Sequence, residues 1–492
     1  MERELKLGIL SPDAWETILH HPLLQIDPHT PHPMHAIYYD SPDGCLRSAG
    51  IAWRVRLEGN QWVAAIKLSG SAAGGLHQRP EWNVPVDGPE PDLSVFAHTG
   101  IWPALERFAG MAPQSLLETE FLRWEKSLRL EDGCTTVLVS LDQGSIRAGG
   151  RSEPILEVEL ELQEGSLAAL LHLGSELCAT LPLCPEPGSK FARGLLLVGL
   201  LPENTCVPES GPEFRLRPRQ EAGSALAALL MTNAQEILAP LAGLPEHPDR
   251  EAFHHLRKMV RSLRALLRLT RELDPNGHLQ PARRELAEWF HRQGERRERD
   301  ALAQYWSVLA HETGVSPEPL LTALESAIPA GHDIPRDYRA HLAAGLLRLW
   351  ASLLEFPLED NGQSLRDFAE ERFAAMDHEL VPATPDEDAA FHRLRIRLKN
   401  WRYVLLALSG LWPRKDAKGL LKCLSALQES AGIIRDAQGA PHHLGPFANG
   451  SDSRLAFQAG MLAGFLEARR RRESRKFSKH WDRLQNTPRP WE

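Results

Sequence analysis

The chain opens Met1-Glu2-Arg3-Glu4-Leu5-Lys6-Leu7-Gly8-Ile9 and later runs Glu157-Val158-Glu159-Leu160-Glu161-Leu162. Both stretches alternate charged and apolar residues with a period of two, the spacing of a β-strand whose side chains point to opposite faces. Glu2, Glu4 and Lys6 therefore share one face, and Leu5 and Leu7 the other; Glu157, Glu159 and Glu161 stand opposite Val158, Leu160 and Leu162. A single strand of this kind is ordinarily the solvated face of an amphipathic sheet. Further strands change that reading: Arg54 and Arg56 alternate with Trp53, Val55 and Leu57, Lys67 stands between Ile66 and Leu68, and His77, Arg79 and Glu81 alternate within Leu76–Val84. A merely solvated sheet interleaves its signs. Here acidic strands and basic strands are segregated, the pattern of two facing walls of one cavity.

Outward from these stretches, Ala36–Tyr39, Ala52–Glu58, Trp62–Leu68, Leu122–Leu130, Thr135–Leu141 and Ile155–Leu162 also read as strands between Gly, Pro, Asn and Asp clusters. Asp142-Gln143-Gly144 reads as a hairpin turn, and Ser11-Pro12-Asp13 as a helix start. Strands spaced so regularly predict a barrel or a strongly curved antiparallel sheet. Past Pro202–Ser224, which is Pro-rich and aperiodic, the texture turns helical over Ser224–Leu241, Arg250–Leu273, Pro281–Leu309, Arg339–Glu355, Ser364–His378, Asp386–Leu408 and Leu455–Arg472. The expected class is α+β, with a strand-built domain over 1–204, a linker over 205–223, a helical domain over 224–485 and a tail over 486–492.

The chain has 492 residues, 42% hydrophobic and 25% charged, which suits two globular domains and argues against a largely disordered chain. Its net charge of −9 hides an asymmetry: residues 1–220 hold 18 Lys and Arg against 29 Asp and Glu, while the rest hold 38 against 36. Two modules with different tasks would carry charge in this way. The six cysteines (45, 134, 178, 184, 206 and 423) form no C-x-x-C pair, favouring free thiols in a reducing compartment over a disulfide framework or a zinc ribbon. No apolar run approaches the ~18 residues of a membrane span.

Neighbouring carboxylates on one face repel unless a cation sits between them, and a divalent metal does so with oxygen ligands. Guanidinium and ammonium groups opposite would bind phosphate oxygens. Together these make the constellation that phosphoryl transfer needs, because that chemistry rests on positioning and charge stabilisation. At these residues the sequence resembles the CYTH, or triphosphate tunnel metalloenzyme, superfamily. The likeness runs in order from Glu2-x-Glu4-x-Lys6 through Ile37-Tyr38-Tyr39-Asp40, Arg54-x-Arg56, Lys67, Gly74–Glu81, Leu141–Gly144 and Glu153–Leu162 to Ser189–Gly194. It implies an eight-stranded antiparallel tunnel, an inverted β-barrel with a charged inner face and flanking helices. Carried over by position, it implies metal ligation by Glu2, Glu4, Glu157 and Glu159 with Asp142 beside them, and Mg²⁺ or Mn²⁺ as the ion. Phosphates would be gripped by Arg54, Arg56, Lys67, Arg123 and Lys190 together with Lys6, with Arg79 and Arg193 of second rank. Arg193 reads equally well as a helix C-terminal charge. Lys6, Glu81 and Asp142 form the catalytic group, Glu81 closing the network on the opposite wall, and Glu161 reads as tunnel rim.

In the helical half, His254, Arg257, Arg261 and Arg264 recur 138 residues later as His392, Arg395, Lys399 and Arg402 with identical spacing. At 100° per residue each set falls on one stripe of a helix, backed by Leu256, Val260, Leu263, Leu266 and Leu267 in the first and Tyr403, Val404 and Leu405 in the second. One Arg-rich helix is usually a solvated face; a repeat of two small bundles, each with the same stripe, favours a shared anionic ligand. The pattern resembles the CHAD domain, which accompanies CYTH domains and is associated with polyphosphate, so these eight residues are expected to bind polyphosphate rather than metal. The basic run from Arg469 to Lys479 reads as the solvated end of a last helix, and the pairs His20-His21 and His442-His443 lack metal-ligand spacing.

The combination is similar to bacterial CYTH–CHAD inorganic triphosphatases. The resemblance implies metal-dependent hydrolysis of tripolyphosphate to pyrophosphate and phosphate, with long-chain polyphosphate as a partner of the helical half. Nothing points to nucleic acid or a membrane. The alternatives are a non-catalytic polyphosphate-binding protein and a hydrolase of nucleoside or thiamine triphosphate. With proposed ligands beginning at Glu2, a cleavable presequence has no room, and a cytoplasmic location is expected.

Overall fold

The computed structural model describes residues 1–201, 215–246, 248–292, 294–326 and 338–491. Cys206 and most of the expected linker, 205–214, lie outside the described residues. Two compact units are present, one of Met1–Phe214, Met231–Glu246 and Asp337–Phe356, the other of Arg215–Leu230, His247–Arg336 and Pro357–Glu492.

The first unit is built on an antiparallel sheet of eleven strands: β1 (Glu2–Ile9), β2 (His32–Asp40), β3 (Ile51–Glu58), β4 (Gln61–Leu68), β5 (Ser71–Ala73), β6 (Leu76–Arg79), β7 (Glu81–Val86), β8 (Gln114–Arg129), β9 (Thr136–Ala148), β10 (Arg151–Glu164) and β11 (Leu183–Pro185). Their order is β5-β6-β1-β10-β9-β8-β2-β3-β4-β7, with β11 also on β1. The count exceeds the eight expected for a definite reason. β6 and β7 are one run of chain divided at Pro80, which has no N–H for a ladder. Before Pro80 the run pairs with β1, matching Arg79 to Glu2; after it the run pairs with β4, matching Glu81 to Lys67. The divided strand thus closes the sheet into a ring of eight, and β5 and β11 are short additions outside it.

Two strand readings need correction. Asp142-Gln143-Gly144 is not a turn but lies inside β9, opposite Glu157, Leu156 and Ile155 of β10. The β9–β10 turn is made by Gly149 and Gly150, whose φ values of +55° and +75° suit glycine. The strand expected over Leu76–Val84 is the one split at Pro80.

Alternation turns the apolar side outward. Trp53, Val55, Ala64 and Ile66 pack against Leu93, Phe96, Ile101 and Leu105 from the segment that follows β7. Leu5 of β1 meets the helix Leu167–Thr180 at Gly174, where a Cβ would stand 2.4 Å from Leu5 Cδ2. That helix packs in turn on Tyr338–Glu355, with Ser175 Oγ donating to Ala344 O at 2.9 Å. The inner face is not charged throughout. At one end Leu117, Phe121, Ile146 and Ile155 meet Leu195 and Phe191 of the helix Lys190–Leu197, which plugs the barrel with apolar side chains.

In the second unit the helices Arg250–Leu269 and Asp388–Leu408 carry the repeated stripes and pack on each other. Their expected apolar sides, from Leu256 to Leu267 and from Tyr403 to Leu405, are buried. The helical stretch read as Pro281–Leu309 is two helices, Gln280–Arg292 and Gly294–Thr313, and the last helix runs on to Gln485. Arg414–Ala448 is a further helix of 35 residues that tolerates Pro441 and Pro446 in its last turns.

The plug sits close because Gly194 has no side chain: a Cβ there would lie 2.5 Å from Leu117 Cδ2. Gly194→Val is expected to destabilise the first unit by about 1–3 kcal/mol through overpacking, measured as a lowered midpoint in urea unfolding.

Candidate active site

The barrel encloses a cavity of about 190 Å³ lined by Glu2, Glu4, Lys6, Arg54, Arg56, Lys67, Arg79, Glu81, Arg123, Glu159, Glu161 and Lys190, among others. Register explains the company. Across adjacent strands Lys6 faces Glu159, Glu4 faces Glu161, Asp142 faces Glu157 and Arg123 faces Asp142. The acidic wall is β1, β10 and β9. The basic wall is β3, β4 and β6, with β8 adding Arg123. Lys6 stands in the acidic wall, and Glu81, at the start of β7, stands beside the basic one.

On the acidic wall, Asp142, Glu157 and Glu159 bring carboxylate oxygens within 4.8 Å of one another. Lys190, reaching in from the plug helix, stands 2.7 Å from Asp142 and 2.8 Å from Glu159 and also bonds Glu157. Arg123 grips Asp142 with two bonds of 2.7 Å and donates to Glu159 as well. Lys6 bonds Glu159 and lies 2.8 Å from Glu4 and 3.8 Å from Glu157. Burial alone would lower the Lys6 ammonium, but Glu159, Glu4 and Glu157 outweigh it and hold its pKa well above the usual lysine range. Burial likewise penalises Glu159, yet Lys190, Lys6 and Arg123 keep its carboxyl well below the ordinary value. These charges are buried but paired, as charges removed from water must be.

Glu2 and Glu4 are not in the three-carboxylate cluster. Glu2 takes Lys67 at 2.9 Å and Arg79 at 3.2 Å. Glu4 Oε1, although near Lys6, is buried without hydrogen-bond geometry to any group among the described residues. Glu161 faces the cavity, and burial together with Glu2 and Glu4 pushes its carboxyl up. Arg193 does not line the cavity: it donates to Glu153 at 2.6 Å, Pro154 O at 2.6 Å and Glu157 at 3.0 Å, bracing the acidic strand.

The donor set Asp142, Glu157 and Glu159, with Glu4 beside Lys6 next to it, is all oxygen, anionic and buried. That is the chemistry of a hard divalent cation, and these residues fit one.

The basic wall is compensated differently. Arg54 pairs with Glu81 at 3.3 Å and Lys67 pairs with Glu81 at 2.9 Å. Arg56 reaches only Glu58 at the rim among the described residues. Burial, with Arg54 and Arg123 close by, brings the Arg56 guanidinium down to about 9. Burial, Arg54 and Arg79 lower Lys67 too. Cations depressed in this way gain from an anion set among them.

In the helical unit, Arg257, Arg261 and Arg264 hold their guanidinium carbons 4.3, 5.1 and 4.8 Å from the centre of the Phe290 ring. Arg261 donates to Tyr403 at 3.4 Å and Arg268 to Asn400 at 2.7 Å, joining the two stripe-bearing helices. Burial, Arg268 and Arg261 lower Arg264 to about 10. Arg402 turns to Ser425 and Gln428. His254, His392, Arg395 and Lys399 lie on the same two helices.

The sequence profile of the CYTH domain matches residues 1–195, and that of the CHAD domain matches residues 228–445. The chain carries a CYTH domain followed by a CHAD domain. An inorganic triphosphatase of Haemophilus influenzae is 31% identical over 160 residues, 32% of this chain and 44% of that protein, so the chain spans less than half the length of this curated relative. Among solved structures, the CHAD domain of the plant Ricinus communis is 23% identical, covering 56% of this chain and 96% of its own, with a TM-score of 0.43. A Hippeastrum protein described as revealing a dominant triphosphatase activity is 22% identical over 42% of this chain and 99% of its own, with a TM-score of 0.32.

Within the CYTH domain, the cavity also takes in Tyr38, Thr119, Phe121 and Phe191, which strand patterning did not single out as site residues. For three of them parity in β2 and β8 was the available signal: Tyr38 follows Ala36 on the inner face, and Thr119 and Phe121 precede Arg123 on theirs; Phe191, on a helix, had none. The Phe290 contact in the CHAD domain carried no such signal, since it lies on a different helix from the arginines.

Burial raises the Glu81 carboxyl, but Arg54 and Lys67 outweigh it and bring it to about 2. Its contribution to stability is therefore complete above its ordinary value of 4.5 and is lost as pH falls towards 2. Glu81→Gln is expected to shrink the stability difference between pH 6 and pH 2.5 by about 2 kcal/mol, read by urea unfolding at both.

Proposed function

We propose that the CYTH domain is a divalent-metal-dependent hydrolase that splits inorganic triphosphate into pyrophosphate and phosphate. The observation that carries this reading is the uneven compensation of the two walls. One holds three buried carboxylates within 4.8 Å, and the other holds Arg56 and Lys67 lowered by burial and by the cations beside them. A linear polyanion with a cation on one side satisfies both. Arg54, Arg56, Lys67 and Arg123 would bind non-bridging oxygens, and Arg79 would hold Glu2 against the same end. Glu2, Glu4, Asp142, Glu157 and Glu159 would hold Mg²⁺ or Mn²⁺, whose chemistry when bound is Lewis-acid polarisation of phosphoryl oxygens. Lys190 and Lys6 keep Glu159 ionised. The relative from Haemophilus influenzae, named as an inorganic triphosphatase, supports this choice of substrate.

For the CHAD domain the reading is binding of long-chain polyphosphate through His254, Arg257, Arg261, Arg264, His392, Arg395, Lys399 and Arg402. Its support is the gathering of three guanidinium groups on Phe290 and the lowered Arg264. Free thiols at Cys45, Cys134, Cys178, Cys184 and Cys423 accord with action in the reducing cytoplasm.

Glu4→Gln is expected to leave the fold intact and to lower metal-dependent phosphate release from tripolyphosphate by about 100-fold or more, in a panel with ATP, thiamine triphosphate and long polyphosphate. Full activity in that variant would overturn the assignment. Arg257→Ala combined with Arg395→Ala should weaken long-chain polyphosphate binding by about 10-fold while tripolyphosphate turnover stays within about two-fold of wild type.

A further inference from the structure

On one wall of the cavity, four polar groups on three adjacent strands lack what they need. The row Thr119–Ala36–Arg56 runs across β8, β2 and β3, and the next row is Leu117–Tyr38–Arg54. Thr119 is 1% exposed, lines the cavity, and among the described residues its Oγ1 has no hydrogen-bond partner. Arg54 Nε and Arg56 Nε are buried and likewise unpartnered. The Tyr38 ring is stacked on Phe191, centroids 5.2 Å apart, which fixes its direction. Among the described residues its hydroxyl has one hydrogen bond, accepted from Arg54 Nη1 at 3.5 Å. The proton of Tyr38 is therefore uncommitted, and the charged groups that bear on the phenol (Arg54, Lys67 and Lys190) are cations that cannot accept it. Ala36, between Thr119 and Arg56, leaves the space in front of them open.

All four groups donate, none has an acceptor, and leaving buried donors unmet is costly. What completes them is an oxyanion with several oxygens on one centre. Beyond Thr119 lie Leu117, Ile146 and Ile155 of the strands and Leu195 of the plug helix, apolar side chains that offer phosphate oxygens no partner on that side. We infer that Thr119 and Tyr38, with the Nε groups of Arg54 and Arg56, form a cradle for the terminal phosphoryl group of the substrate, the two hydroxyls each donating to a non-bridging oxygen. This rests on the triphosphate reading above and adds to it two neutral binding residues and the polarity of the bound chain.

Thr119→Val and Tyr38→Phe keep shape and ring stacking while removing one hydroxyl each, and thermal unfolding will show whether either disturbs the fold. Binding of tripolyphosphate and of cyclic trimetaphosphate, which has no terminal phosphoryl group, is measured by calorimetry in EDTA on the full chain. Arg56→Ala serves to subtract binding in the helical half. The expected result is a rise of about 10-fold in Kd for tripolyphosphate in each single variant, a matching rise in KM, and little change for trimetaphosphate. Unchanged tripolyphosphate affinity in both variants would overturn the cradle even if wild type hydrolyses tripolyphosphate. Equal losses with both phosphates would overturn its assignment to a terminal group. Wild-type binding without phosphate release, with the variants weakened, would overturn hydrolysis and leave the cradle standing. Absence of tunnel binding in wild type would overturn both.

Discussion

Lys190 Nζ stands among three carboxylates that belong to two neighbouring strands, and most of the CYTH domain is arranged around that contact. Asp142, Glu157 and Glu159 are too close to be ionised together in a dry interior unless cations stand between them. Lys6 comes from β1, Arg123 from β8 and Lys190 from the helix beyond the sheet, so three separate parts of the chain must arrive before the site is neutral. Seating Lys190 requires the plug helix, and seating the plug helix requires Gly194 against Leu117. The apolar end of the barrel is thus a condition of the charged part.

A barrel with ionised groups inside cannot also keep its hydrophobic core there. Trp53, Val55 and Ile66 consequently face outward and need cover, which the segment holding Phe96 and Leu105 provides. β1 is covered in the same way by Leu167–Thr180, itself backed by Tyr338–Glu355. That last helix lies within the stretch matched by the CHAD profile yet belongs to the first compact unit. Sequence families and compact units divide this chain at different places.

Compensation is tight on the acidic wall and uneven on the basic one, where Arg54 and Arg79 are held up despite burial but two other cations are not. Lys6 and Lys190 are held above the ordinary lysine range, whereas Arg56 and Lys67 fall below theirs. The helical unit repeats the latter arrangement, with three guanidinium groups on one phenylalanine and Arg264 depressed. Sites preorganised in this way gain most when a multiply charged anion enters, because the reorganisation has already been done in folding.

Period-two alternation was enough to place Glu2, Glu4, Lys6, Arg54, Arg56, Lys67, Arg79, Glu81, Glu159 and Glu161 around one cavity, because strand parity is local and one-sided burial leaves it no freedom. The same local rule failed at Asp142-Gln143-Gly144, whose turn-like composition sits mid-strand: Gly144 is there because a Cβ would strike Phe121, a neighbour far away in sequence. Which carboxylates share a cation, that Arg193 braces Glu157 from outside the cavity, and that Thr119 and Tyr38 face unmet donors into it were likewise beyond the sequence. Each depends on register between strands and on where a helix docks, and those are set by long-range packing that no window of residues contains.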